Sequence, residues 1–228
     1  MSDEAPAVLP FRVLAVCSGN VCRSPLLELL LRRALGARAD LEVGSAGTIA
    51  RPGMRMTREM VRVAARAGVA ETDARAHAAR RLDEHTVASA GLILGLTREH
   101  RAAAVELHPA ALRRAFTLSE FARLATDAAA ETPAPGGAPD EPRRTAAELV
   151  AELAARRGGA PPVAPERDDI RDPIGLPQEV YDEVGAEIEG AARVVAGALL
   201  ATRAGAPQAS VLTPQKRGPA LSFTFPRL

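Results

Sequence analysis

FRVLAVCSGNVCRSPLLELLLRRAL, residues 11 to 35, is the segment around which the rest of the chain is arranged. Phe11 to Cys17 is a short, apolar, β-branched run that stops at Ser18-Gly19-Asn20, as a buried strand running into a turn does. A helix is expected at once, with Ser24 as N-cap, Pro25 at the first helical position, and leucines continuing to Leu35 before Gly36. Five residues separate Cys17 from Arg23. A loop of that length can curl so that successive backbone N–H groups face inward at a helix N-terminus, making a nest for a tetrahedral oxyanion. Arg23 closes such a nest with a planar fork that bonds two oxygens at once. Positive surroundings of this kind favour a thiolate, so Cys17 is the expected nucleophile. The Gly-Lys-Ser/Thr ending of a nucleotide-binding loop is absent.

Working outward, Leu41 to Ser45 reads as a second strand and Arg58 to Ala67 as a helix closed by Gly68. Ala90 to Leu96 is a third strand, Thr97 to Leu107 a helix, Arg114 to Leu118 a fourth strand, and Glu120 to Leu124 the start of another helix. This alternation predicts an α/β fold, a four-stranded parallel sheet with helices on both faces. Between residues 127 and 166 the texture changes. Pro133, Pro135, Pro139, Pro142, Pro161, Pro162 and Pro165 bracket one amphipathic stretch, Thr145 to Arg157, which reads as an insertion holding a helix. Pro177 to about Arg203 is the last strong helix. One domain is expected over residues 8 to 204, followed by a flexible C-terminal tail at 205 to 228.

Composition narrows the functions. The 228 residues carry a net charge of +1, so no global positive field points to nucleic acid or an anionic membrane. Aromatic residues are 3% of the chain, too few for a stacking platform for single-stranded nucleic acid. No apolar run approaches a membrane span, and MSDEAPAVLP does not resemble a signal peptide, so the cytoplasm is the expected compartment. Two cysteines make no disulfide framework. His85, His100 and His108 show no ligand spacing with either cysteine, and neither metal nor cofactor is expected.

VCSGNVCRSP, residues 16 to 25, resembles the signature loop of the low-molecular-weight protein tyrosine phosphatase family. SAGT at Ser45 to Thr48, HAARRL at His77 to Leu82, and Asp172-Pro173 stand in the family's order and approximate spacing. The resemblance implies a cysteinyl-phosphate phosphatase acting on a phosphorylated protein. Cys17 would be the nucleophile, Arg23 the phosphate clamp, and Ser18, Gly19, Asn20, Val21 and Cys22 the binding loop. Ser24 would bond the Cys17 thiolate, while Ser45 and His77 help Asn20 hold the loop. It also implies that Cys22 can bridge Cys17 on oxidation, protecting the nucleophile.

The leaving oxygen must be protonated as its bond to phosphorus breaks. Asp168, Asp169 and Asp172 rank only loosely on spacing, and the family match decides for Asp172. The chain departs from the family at the mouth, where aromatics usually stand and Ile49-Ala50-Arg51-Pro52 and Ile174-Gly175 occur instead. Arg51 is therefore expected to contribute to substrate binding through acidic neighbours. Thr97 stands where many members have an aspartate. Bacterial protein-arginine phosphatases of similar sequence carry threonine where Val21 stands, so Val21 resembles the tyrosine-directed type. Thioredoxin-coupled arsenate reductases need a downstream cysteine pair that is missing here. The remaining alternatives are a small-thiol-coupled arsenate reductase and a catalytically weak phosphate-binding module.

Overall fold

The computed structural model describes residues 10–36, 38–131, 144–159 and 163–204. Four parallel strands, β1 (Phe11–Cys17), β2 (Leu41–Gly47), β3 (Leu92–Gly95) and β4 (Ala115–Thr117), lie in the order β2-β1-β3-β4. Register is continuous from Phe11 opposite Leu41 to Cys17 opposite Gly47, and Val13 to Val16 pair with Leu92 to Gly95 on the other side. The chain leaves β1 toward β2 through α1 (Arg23–Leu35), and leaves β3 toward β4 through α5 (Arg98–Leu107). Strand order thus reverses direction at β1. The carboxyl end of β1, occupied by Cys17, is a topological switch point, where open α/β sheets place their ligand crevice.

The period of two in β1 divides its side chains between two cores. Val13, Ala15 and Cys17 face a large cluster with Leu26, Leu27 and Leu31 of α1 and the buried sides of α2 (Arg58–Arg66), α6 (Leu118–Glu131), α7 (Ala146–Arg156) and α8 (Gln178–Leu200). Leu14 and Val16 face a thinner, alanine-rich cluster with Val87 of α4 (Glu84–Ser89) and Ala104 of α5. Leu26, Leu27 and Leu31 are fully buried, so truncating any one to alanine costs about 2–5 kcal/mol.

The observed elements depart from the sequence reading at their ends. Thr97 is the N-cap of α5 rather than its first residue, accepting from the His100 N–H at 3.3 Å. Beyond the expected start at Glu120, α6 runs from Leu118 through Glu131 and enters the stretch read as an insertion. Thr145 and Glu148 close a capping box on α7, which buries Leu149, Val150 and Leu153. Two short helices, α3 (Glu71–Ala76) and α4, went unread because six residues carry too little periodicity. Residues 132–143 and 160–162 of the expected insertion and the expected tail at 205–228 lie outside the described residues.

Candidate active site

The loop from Ser18 to Cys22 leaves β1 and turns directly into α1. Its carbonyls are anchored outward: Cys17 O accepts from Thr48 N at 2.9 Å, Ser18 O from Ile49 N at 3.0 Å and Val21 O from Thr57 N at 2.8 Å. Among the described residues, no backbone N–H from Ser18 to Cys22 is donated to a protein acceptor. These N–H groups are thus left unused by the protein, as an anion nest requires.

The single left-handed non-glycine residue among those described is Asn20, at φ 52°. The sequence invites Gly19 for that role, yet the strain falls on Asn20 because four partners hold it. His77 Nε2 donates to Asn20 O at 2.8 Å, and Arg80 N donates to Asn20 Oδ1 at 2.8 Å. Asn20 Nδ2 donates to Ser45 Oγ at 2.8 Å and to Ser24 Oγ at 3.0 Å. Ser45 in turn gives its only proton to the buried carboxylate of Glu28, which Arg32 pairs at 2.7 Å. These roles fix the polarity of the whole chain of bonds. Ser45 and Ser24 both accept from Asn20, and the one Ser24 proton has two acceptors in reach, Cys17 Sγ at 3.0 Å and Ala46 O at 3.4 Å, of which a thiolate at Cys17 is the nearer and the stronger.

Ser24 is therefore not the N-cap read from the sequence. Helix α1 begins at Arg23 with Cys22 as N-cap and no side-chain cap bond, because the Ser24 hydroxyl is turned toward the sulfur. The two cysteines are placed differently. Burial pushes the Cys22 thiol strongly upward, with Cys17 and Asp172 adding to the shift, so Cys22 stays protonated. Both are free and buried. Val21 packs with Ala50 and Ala79 in a small cluster of its own.

The Arg23 side chain is only 4% exposed and spends its nitrogens unequally. Nη1 donates to Ile170 O at 2.9 Å and Nη2 to Asp172 Oδ2 at 2.7 Å, while Nε is buried with no partner. A buried unpartnered donor on a guanidinium is costly unless something accepts from it. Asp172 is 43% exposed at its side chain, and its other oxygen accepts from Ile174 N at 3.3 Å. The competing aspartates are engaged elsewhere. Asp168 pairs with Arg123 at 3.0 Å, and Asp169 Oδ1 accepts from Arg98 N at 2.7 Å.

Of the residues read from sequence, Cys17, Ser18, Gly19, Asn20, Cys22, Arg23, Ser24, Ser45, His77 and Asp172 converge on this loop. Arg51 is exposed and no hydrogen bond of its side chain ties it to the loop among the described residues. Ile49 (67% exposed) and Ile174 (49%) flank the loop, their backbone N–H groups donating to Ser18 O and to Asp172 Oδ1. Three participants were not legible: Glu28, the Arg80 N–H and His100, whose ring reaches Ser18. Each contributes through a partner remote in sequence. Among the described residues, no group of three or more His, Cys, Asp or Glu could hold a metal ion.

Gly47, at the end of β2, lies against the back of the loop. A Cβ there would stand 2.4 Å from Ser18 O and 2.8 Å from Asn20 N, both backbone atoms that cannot yield without moving the nest. Gly47→Ala is expected to lower kcat/KM for p-nitrophenyl phosphate by about 10²-fold, the scale of a displacement near 1 Å. Steady-state kinetics beside a thermal melt check it, since a variant of unchanged activity leaves no close approach to explain.

Comparison with known proteins follows the same lines. A family model described as low molecular weight phosphotyrosine protein phosphatase matches residues 12–156. A protein-arginine-phosphatase of Geobacillus stearothermophilus is 33% identical over 113 residues, covering 50% of this chain and 72% of that protein. A probable low molecular weight protein-tyrosine-phosphatase of Ralstonia nicotianae is 35% identical over 109 residues, 48% of this chain and 71% of that one. Among solved structures, an arginine phosphatase from Geobacillus stearothermophilus superposes with a TM-score of 0.59 at 27% identity, over 84% of this chain and 94% of that one. With the loop, the parallel sheet and the extent of these matches together, the chain belongs to the low molecular weight phosphotyrosine protein phosphatase family.

Proposed function

We propose that this protein is a cysteine-dependent phosphatase that hydrolyses phosphotyrosine in proteins through a cysteinyl-phosphate. The observation that carries it is Arg23, a buried guanidinium with one nitrogen unpartnered, beside a run of backbone N–H groups that no protein acceptor uses. A phosphoryl group satisfies both at once.

In the first step the Cys17 thiolate attacks phosphorus in line, forming the S–P bond as the P–O bond to the leaving group breaks. Ser24 donates to the sulfur, the loop amides and Arg23 hold the three equatorial oxygens, and Asp172 gives its proton to the departing oxygen. In the second step water attacks phosphorus, Asp172 takes its proton, and the S–P bond breaks to return the thiolate and release inorganic phosphate. An incoming phosphoryl group competes with Asp172 for Arg23 Nη2, so substrate binding releases the carboxylate from the guanidinium, and once it has taken up a proton from water it faces the leaving oxygen as the acid. No cofactor or metal enters either step. The cytoplasm is the compartment we propose, because a nucleophilic Cys17 beside Cys22 needs reducing surroundings. No helix among the described residues is long and apolar enough to cross a membrane.

Phosphoarginine in proteins is the second reading, favoured by the aliphatic mouth at Ile49 and Ile174, which offers no ring for a phenyl group to stack on. Val21 argues for tyrosine. A panel of phosphotyrosine, phosphoarginine, phosphoserine and p-nitrophenyl phosphate decides among them. Two absent stacking contacts, about 0.5–1.5 kcal/mol each, should raise the Michaelis constant for free phosphotyrosine by about one to two orders of magnitude relative to an aromatic-walled enzyme. Phosphopeptides with acidic neighbours should recover part of it through exposed Arg51, and Arg51→Ala should remove that recovery. A low-micromolar constant for free phosphotyrosine defeats the specificity argument, and failure to hydrolyse any of the four defeats the phosphatase reading.

A further inference from the structure

The first turn of α5 touches both halves of the proposed site. Leu96 O accepts from Ile170 N at 2.9 Å, and Arg98 N donates to Asp169 Oδ1 at 2.7 Å, which pins the aspartate-bearing segment to the start of the helix. Ile170 O in turn accepts from Arg23 Nη1. One residue beyond Glu99, His100 is buried between the loop and the helix cap. Its Nδ1 lies 2.9 Å from Thr97 Oγ1 and its Nε2 lies 2.9 Å from Ser18 Oγ. No charge requirement of the packing explains a histidine here. Two opposed hydrogen bonds from one rigid ring do, because they fix a distance that a flexible side chain would leave open.

We propose that His100 is a positioning residue for phosphoryl transfer: it clamps the Ser18 hydroxyl, and with it the first peptide of the phosphate loop, to the same helical turn that anchors the Asp172 segment. The proposal rests on the phosphatase reading and adds to it the device that keeps nucleophile and acid in register. Burial holds the ring's pKa down to about 4, with the Arg23 charge acting the same way and Asp172 and Asp169 acting against it. The ring is neutral at ordinary pH and carries one N–H. In either tautomer the ring donates from one nitrogen and accepts at the other, because Thr97 and Ser18 each offer a hydroxyl that can do both, so the two bonds hold whichever nitrogen carries the proton.

Two amide replacements separate the ring's two bonds. Glutamine places a nitrogen where Nε2 stands, toward Ser18, and asparagine places one where Nδ1 stands, toward Thr97. Inorganic phosphate binding is measured calorimetrically on the full chain, alongside kcat and KM for p-nitrophenyl phosphate. His100→Asn and His100→Ala are expected to weaken phosphate binding and lower kcat/KM by about 10- to 100-fold, and His100→Gln to recover most of that loss. Adding Ser18→Ala to His100→Asn should cost nothing more, since the bond is already gone. A role confined to holding the helix cap gives the opposite order, with asparagine rescuing and glutamine failing, and that order overturns the proposal. If the histidine variants do not fold, Ser18→Ala alone is decisive: it must weaken phosphate binding to a similar extent, and unchanged binding overturns the clamp. The calorimetric readout stands even for a protein that turns nothing over, so failure of the clamp is distinguishable from failure of the phosphatase reading.

Discussion

Cys17→Ser is expected to abolish turnover of p-nitrophenyl phosphate, by on the order of 10⁴-fold or more, while leaving the protein able to bind inorganic phosphate. The two halves of that result have separate causes. A serine hydroxyl at this position is a far weaker nucleophile than a thiolate, and Ser24 cannot activate it, being a donor to the sulfur rather than a base. Phosphate binding depends instead on Arg23 and the loop amides, which the substitution leaves in place. Rapid-quench labelling of the unaltered protein should trap phosphate on Cys17. Label on a histidine, or undiminished turnover in Cys17→Ser, disproves the mechanism. Cys22→Ser provides the contrast, because the Cys22 thiol is held protonated by burial and should never carry label.

Asp172→Asn is expected to lower the rate of phosphoenzyme formation by about 10²- to 10⁴-fold with an alkyl phosphate and much less with p-nitrophenyl phosphate, whose oxygen leaves without help. Binding should move the other way. The Asp172 carboxylate occupies Arg23 Nη2 at 2.7 Å, and a neutral amide competes less well for a guanidinium, so inorganic phosphate should bind as tightly or more tightly. Asp168→Asn and Asp169→Asn should leave phosphoenzyme formation nearly unchanged. Asp168 is committed to Arg123, and an asparagine at 169 can still accept from Arg98 N as a capping residue does. Measuring the first step by rapid quench avoids masking by slow hydrolysis of the intermediate. Equal losses for all three aspartates would move the acid elsewhere and detach Asp172 from the chemistry.

The alternation of strands and helices that implies a parallel sheet, the loop at the end of β1, and the pairing of Cys17 with Arg23 were legible from sequence because each depends on neighbours within a few residues. An apolar run, a Gly-Asn turn and a helix start are local, and so is the curl that aims successive amides at one point. Element ends were less legible for the same reason. The Ser24 hydroxyl has two competing partners, its own helix N-terminus and the Cys17 sulfur, and only the folded loop decides between them. The short helices α3 and α4 fall below the length at which a helical period declares itself, and their positions are set by packing.

What the sequence by itself determined is therefore the identity of the reacting groups and the order in which strands and helices follow one another. Tertiary structure decided which of three nearby aspartates meets Arg23, since Asp168, Asp169 and Asp172 are told apart by partners 45, 71 and 149 positions away in sequence. It also decided that the loop's left-handed residue is Asn20, because Arg80, Ser24 and Ser45 bond its side-chain amide, which Gly19 lacks, and His77 holds its carbonyl. A histidine at position 100 carries no signal of its own in the sequence. Its meaning comes from Ser18, 82 positions away, and from the rigidity of a ring that can bridge only one distance.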